Sequence, residues 1–180
     1  MSTHREIFVS VDVETAGPIP GEYSLLSIGA CDVDNEDHTF ACELKPINQN
    51  ADPAALKVTG LSLDVLERTG LTPEEAMKQF EVWAMSLAPA GKSLVFVGLN
   101  APFDWSFVNY YFHRFLGRNP FGFIALDIKA YYMGVTGCDW VDTRSSHMAA
   151  SLKPRRTPDH KALGDALYQA ELFRLIRKTS

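Results

Sequence analysis

Ile7-Phe8-Val9-Ser10-Val11-Asp12-Val13-Glu14-Thr15-Ala16-Gly17 is the stretch that decides the fold. Residues 7–13 are rich in β-branched side chains and read as a strand, which the turn-rich Gly17-Pro18-Ile19-Pro20-Gly21 brings to an end. Asp12 and Glu14 sit two apart near its C-terminal end. On a strand that spacing puts both carboxylates on one face, with α-carbons about 6.5–7 Å apart. Two like charges on an otherwise buried strand repel each other and lose hydration. A divalent cation would offset that cost. A frayed, solvated strand end would avoid it, and D-x-E alone does not separate the two.

Working outward, residues 24–33 and 39–44 are two more β-like runs, and the polar stretch 34–38 between them reads as a hairpin turn. The first three strands therefore form an antiparallel meander. The period then changes. Residues 52–66 look like short helical pieces broken at Gly60. Thr72-Pro73-Glu74-Glu75 carries a capping threonine, a first-turn proline and the glutamate of a capping box. Ala76, Phe80, Trp83, Ala84 and Leu87 follow at helical spacing. Residues 94–97 form a short apolar strand suited to a parallel sheet, residues 102–115 a helix, 124–128 a fifth strand and 129–133 a helical stretch. Residues 134–158 show no periodicity and stay unassigned. A final helix over 162–177 has its apolar stripe at Leu163, Ala166, Leu167, Ala170 and Phe173. Three antiparallel strands followed by alternating helix and strand predict an α/β three-layer domain with a mixed sheet. Residues 1–180 are expected to form a single domain, since two separate cores would be cramped at this length.

Composition excludes some classes. Hydrophobic residues make up 46% and charged residues 22%, and no apolar run is long enough for a membrane span. Residues 1–6 are polar and too short for a secretory signal ahead of the first strand. Cys31, Cys42 and Cys138 lack metal-ligand spacing and read as reduced thiols of a cytoplasmic protein. The net charge of −5 argues mildly against a nucleic-acid partner. That holds only if the acids are dispersed, because bound cations would reverse the local sign.

Two further acids bear on this. Gly98-Leu99-Asn100-Ala101-Pro102-Phe103-Asp104 leads from strand to helix and places Asp104 in the helix's first turn. There it either favours the helix dipole or joins a ligand site at the strand ends. In Asp159-His160-Lys161-Ala162-Leu163-Gly164-Asp165, a five-residue separation puts His160 and Asp165 about 140° apart on an ideal helix. His160 is therefore expected in the loop or first turn after Pro158, with Asp165 on the helix itself. Taken together, four carboxylates and a histidine at strand ends and helix starts are the set that two-metal phosphoryl chemistry needs.

Asp12-Val13-Glu14-Thr15-Ala16-Gly17, Asn100-x-x-Phe103-Asp104 and His160-x-Ala162-Leu163-x-Asp165-Ala166 resemble, in order and spacing, the three motifs of the DEDDh exonucleases, a group that includes ribonuclease T, oligoribonuclease and a polymerase proofreading subunit. The resemblance implies a ribonuclease-H-like sheet in strand order 3-2-1-4-5, with strand 2 antiparallel. It implies 3′→5′ hydrolysis of single-stranded DNA or RNA to nucleoside 5′-monophosphates. Asp12, Glu14, Asp104 and Asp165 would bind two Mg²⁺ or Mn²⁺ ions, and His160 would be the general base that deprotonates the attacking water. Thr15, Asn100 and Phe103, within the motifs, are candidate contacts to the terminal nucleotide. Tyr23, Trp105 and Trp140 are further candidates for base stacking. Arg155 and Arg156, in a basic run with Lys153, are candidates for phosphate contact. Ala16 and Leu99 depart from the residues common in the family, at positions that carry no metal. Relatives include dimers, so a homodimer or a polymerase partner is compatible with the resemblance. An alternative to a free-standing nuclease is a proofreading or binding subunit whose role depends on such a partner.

Overall fold

The structure, a computed structural model, describes residues 5–179. Residues 1–4, most of the N-terminal stretch judged too short for a secretory signal, lie outside the described residues. Strand β1 (Glu6–Thr15) pairs antiparallel with β2 (Leu25–Asp32), and β2 pairs antiparallel with β3 (Thr39–Glu43). Three helices follow, α1 (Pro53–Thr59), α2 (Leu63–Thr69) and α3 (Pro73–Leu87). Strand β4 (Ser93–Gly98) lies parallel to β1, and after α4 (Ala101–Leu116), β5 (Ala125–Asp127) lies parallel to β4. The order is β3-β2-β1-β4-β5, as expected of a ribonuclease-H-like sheet. Helix α5 (Ile128–Thr136), a 3₁₀ turn (Trp140–Thr143), α6 (Ser145–Leu152) and α7 (Ala162–Arg177) complete the chain.

The alternation along β1 assigns the two faces of the sheet. Val9, Val11 and Val13 point into a core shared with Phe80 of α3 and Phe107, Tyr111 and Phe112 of α4. Phe80 stacks on Phe40 at 5.0 Å and on Phe112 at 5.6 Å. On the opposite face, Phe8 packs with Tyr168, Leu172 and Phe173 of α7, and Met148 of α6 is fully buried there. Each such side chain contributes roughly 1.5–3 kcal/mol by leaving water. Among the described residues, no helix is long and apolar enough to cross a membrane.

Two details differ from the sequence reading. The fifth strand is shorter than residues 124–128: Ile124 is 78% exposed, and only Ala125–Asp127 pair with β4. Asp127 ends the strand because its carboxylate caps α5 by accepting from the Ala130 N–H. The unassigned residues 134–158 contain the end of α5, the 3₁₀ turn and α6. These pieces are too short for a 3.6-residue period to show.

Candidate active site

The sheet's pairing pattern opens the site. Strand β4 pairs with β1 only as far as Ser10, then turns away through Gly98 into α4. The upper half of β1 is left with a free edge on that side. The Val13 N–H on that edge donates to Asp104 Oδ1 at 3.0 Å, so the first turn of α4 docks against the strand that carries Asp12 and Glu14. Asp104 is only 5% exposed, a burial that a dipole role would not require. Asn100, just before it, adopts left-handed backbone (φ 66°), and the Asp127 carboxylate accepts the Ala101 N–H at 2.7 Å.

Helix α7 brings the remaining acid. Gly29 faces Asp12 across the β1–β2 ladder, and a β-carbon at Gly29 would lie 2.1 Å from the backbone of Ala162 and Leu163. Only glycine lets the start of α7 lie this close to the sheet. The helix is fixed there by the Ser10 hydroxyl, which donates to the Ala166 carbonyl at 2.8 Å. One turn on, the buried Gln169 donates to Asp12 Oδ1 at 2.5 Å and accepts the Leu99 N–H at 2.8 Å. One amide therefore ties α7 to the carboxylate and to the end of β4. Asp12, Glu14 and Asp165 each offer an oxygen such that all three lie within 4.8 Å of one another. Asp104 is not among these three but adjoins them closely enough to raise the pKa of Asp12.

His160 lies outside α7, as its spacing from Asp165 required, on an exposed loop with left-handed backbone (φ 57°). The loop is held on both sides of it. The Asp159 N–H donates to Asp165 Oδ1 at 2.9 Å, and the Lys161 N–H donates to Asp159 Oδ1 at 3.1 Å. Gly164 makes room for the Asp159 carboxylate, which a β-carbon there would strike at 2.2 Å. His160 and Glu14 line the same groove, of about 580 Å³, which runs over β2 and β3 to Thr59 and Leu61.

The electrostatics call for cations. Burial, then Asp104, Asp165 and Glu14, push the Asp12 pKa well above the usual carboxylate range. Burial, then Asp165 and Asp159, push Glu14 up to about 7. Burial also raises Asp104, against the hydrogen bond from Val13 that favours its charge. Carboxylates are hard oxygen donors suited to Mg²⁺ or Mn²⁺. Asp12, Asp104 and Asp165 are each held by N–H donors and keep lone pairs for a cation. The donor set fits divalent metal.

Of the candidate nucleotide contacts, Thr15 and Phe103 line a second cavity of about 380 Å³, which shares Glu14 and Thr59 with the groove and is also lined by Val58. The Thr15 hydroxyl itself donates to the Gly17 carbonyl at 2.9 Å. Asn100 lines neither cavity. Tyr23 packs over Gly17, Trp105 lies edge-on to Phe96, and Trp140 sits under the Lys129 ammonium. Arg155 and Arg156, in the loop before α7, lie beside the middle of that helix, where Glu171 accepts their backbone N–H groups at 2.8 and 3.0 Å and Arg156 pairs with Glu36. Sequence reasoning missed Gln169, Asp127, Asp159 and Gly29. For Gln169 there was a signal: it is a polar residue on the apolar face that Ala166, Ala170 and Phe173 define.

Comparison with known proteins agrees with this geometry. Residues 9–173 match the RNase T exonuclease family. The chain is 58% identical over 180 residues to the 3′-5′ DNA exonuclease Cap18 of Escherichia coli, covering all of this chain and 96% of that protein. The nuclease domain of 3′hExo, a DEDDh family member solved bound to rAMP, superposes with a TM-score of 0.78 at 16% identity, over 99% of this chain and 95% of that one. Escherichia coli Exonuclease I in complex with a dT13 oligonucleotide gives 0.72 at 16% identity, over 96% of this chain and 41% of that one.

Proposed function

We propose, since the chain belongs to the RNase T exonuclease family and is a 3′→5′ exonuclease of the DEDDh kind, that it removes nucleoside 5′-monophosphates from the 3′ end of single-stranded DNA by a two-metal mechanism. The 180 residues act in this reading as one domain, because the clusters on the two faces of the sheet pack on the strands that carry the site. The observation that carries the proposal is the convergence of Asp12, Glu14 and Asp165 beside buried Asp104, on a groove that His160 also lines. DNA is favoured over RNA by the 58% identity to a DNA exonuclease.

Asp12, Glu14, Asp104 and Asp165 hold two Mg²⁺ or Mn²⁺ ions in this mechanism. Such a pair supplies charge stabilisation for the attacking and leaving oxygens of an in-line displacement. The chain's own part is mainly positional. Gln169, Val13 and the Asp159 amide fix one oxygen each of Asp12, Asp104 and Asp165 before substrate arrives. The His160 imidazole, on the groove that Glu14 also lines, takes the proton of the attacking water. The terminal nucleoside occupies the cavity lined by Thr15 and Phe103, with the Phe103 ring available to its base.

The test uses single-stranded DNA labelled at its 5′ end. A ladder should shorten from the 3′ end, stop in EDTA and resume with Mg²⁺ or Mn²⁺, and a bulky 3′ block should protect the strand. Full activity after exhaustive chelation, or cleavage of a circular strand, would overturn the proposal.

A further inference from the structure

Away from the acids lies a cavity of about 500 Å³ lined by Glu36, Arg155, Arg156, Glu171, Arg174 and Lys178. Four cations there face two carboxylates, in a protein whose net charge is −5. The two acids are already engaged. Glu36 takes the Arg156 guanidinium on one oxygen and the Arg174 guanidinium on the other. Glu171 accepts the backbone N–H groups of Arg155 and Arg156. Among the described residues, neither Arg155 nor Lys178 has an ion-pair partner, and both are exposed. Burial also draws the Arg174 guanidinium below its ordinary pKa, a cost that a bound anion would relieve.

We infer that this cavity binds a phosphate ester. Arg155 can offer the planar donor fork that matches phosphate oxygens, Lys178 adds a point charge, and Arg156 and Arg174, already engaged by Glu36 and the Val33 carbonyl, add positive charge. The volume admits a phosphate with its attached sugar. Two sources share this chemistry: the backbone of the strand being degraded, upstream of the scissile bond, and a free nucleotide. The position favours the strand. Glu171 and Arg174 follow Asp165 on the same helix by about 9 and 14 Å of axial rise, within reach of a few nucleotides whose 3′ end lies at the acids. The strand source rests on the exonuclease reading; the affinity for phosphate does not.

The experiment is done in EDTA, so that hydrolysis plays no part and failure of the metal mechanism leaves the result readable. Binding of a fluorescent single-stranded DNA of about twelve nucleotides is measured against salt for the wild type and for Arg155→Ala/Lys178→Ala, whose side chains the fold does not use. Melting is followed in parallel with millimolar pyrophosphate or AMP. If the strand occupies the cavity, the slope of log K against log salt flattens by about 1.4 in the double variant, from two lost contacts at about 0.7 each. If a free nucleotide does, that slope holds, and pyrophosphate or AMP raises the wild-type Tm but not the variant's. Glu36→Gln, which removes a competing carboxylate, should strengthen whichever response is seen. An unchanged slope together with identical Tm responses would overturn the proposal and leave the cluster as a structural charge network.

Discussion

Gln169 holds two partners, one on β1 and one just past the end of β4, and its amide satisfies both at once. Gln169→Leu keeps most of the volume but strands the Leu99 N–H and releases Asp12. The expected loss is about 1–3 kcal/mol of stability in urea denaturation, the usual cost of an orphaned buried group, together with reduced turnover. A variant as stable as the wild type would reduce the amide to a space-filler. His160→Ala should lower turnover by roughly 10²–10⁴, the range for a positioned acid–base group. Mn²⁺ should still raise its Tm as in the wild type. Loss rescued by more metal would make His160 a ligand. At this scale the candidate site residues were legible because motif spacing constrains them. The groups that orient them were not: Gln169 and Asp159 act through contacts between segments distant in sequence or across a loop, and no local period records such contacts.

Helix α7 approaches the sheet only because residue 29 lacks a side chain. Gly29→Ala forces backbone against backbone, so the strand or the helix start must shift. Overpacking of this kind costs about 1–3 kcal/mol. Displacement of Asp165 by even 1 Å costs on the order of a hundredfold in rate. Thermal melts and turnover of this variant should show both losses, and wild-type turnover would mean that the helix start is not fixed by the contact. The last helix and α3 were readable because the apolar stripes of both and the capping box of α3 are local. Residues 134–158 were opaque for the opposite reason. Met148 anchors α6 by burial against α7, a tertiary cause that leaves no pattern in an eight-residue helix.

For the molecule as a whole, the crowded acids make metal-free stability depend on pH. Asp12, Glu14 and Asp104 have folded pKa values raised above the ordinary value near 4, so the native state holds protons that the unfolded chain releases. Their contribution is fully present below about pH 4 and is lost as pH rises through the folded values, which for Glu14 is about 7. In EDTA, Tm should therefore fall between pH 5 and pH 8, and the fall should shrink in Asp12→Asn. Saturating Mn²⁺ should reverse it, since a ligand confined to the native state stabilises that state. A metal-free Tm that rises with pH would contradict the crowding. One feature also divides the site in time. Asp12 and Glu14 ride the central strand of five, whereas His160 rides an exposed loop held by single hydrogen bonds. In hydrogen–deuterium exchange, the amides around Asp12 should open only with global unfolding, and those of residues 157–161 by local opening many orders of magnitude faster. The His160 loop should thus open far more often than the carboxylates leave their places, and its opening rate can vary without disturbing the acids.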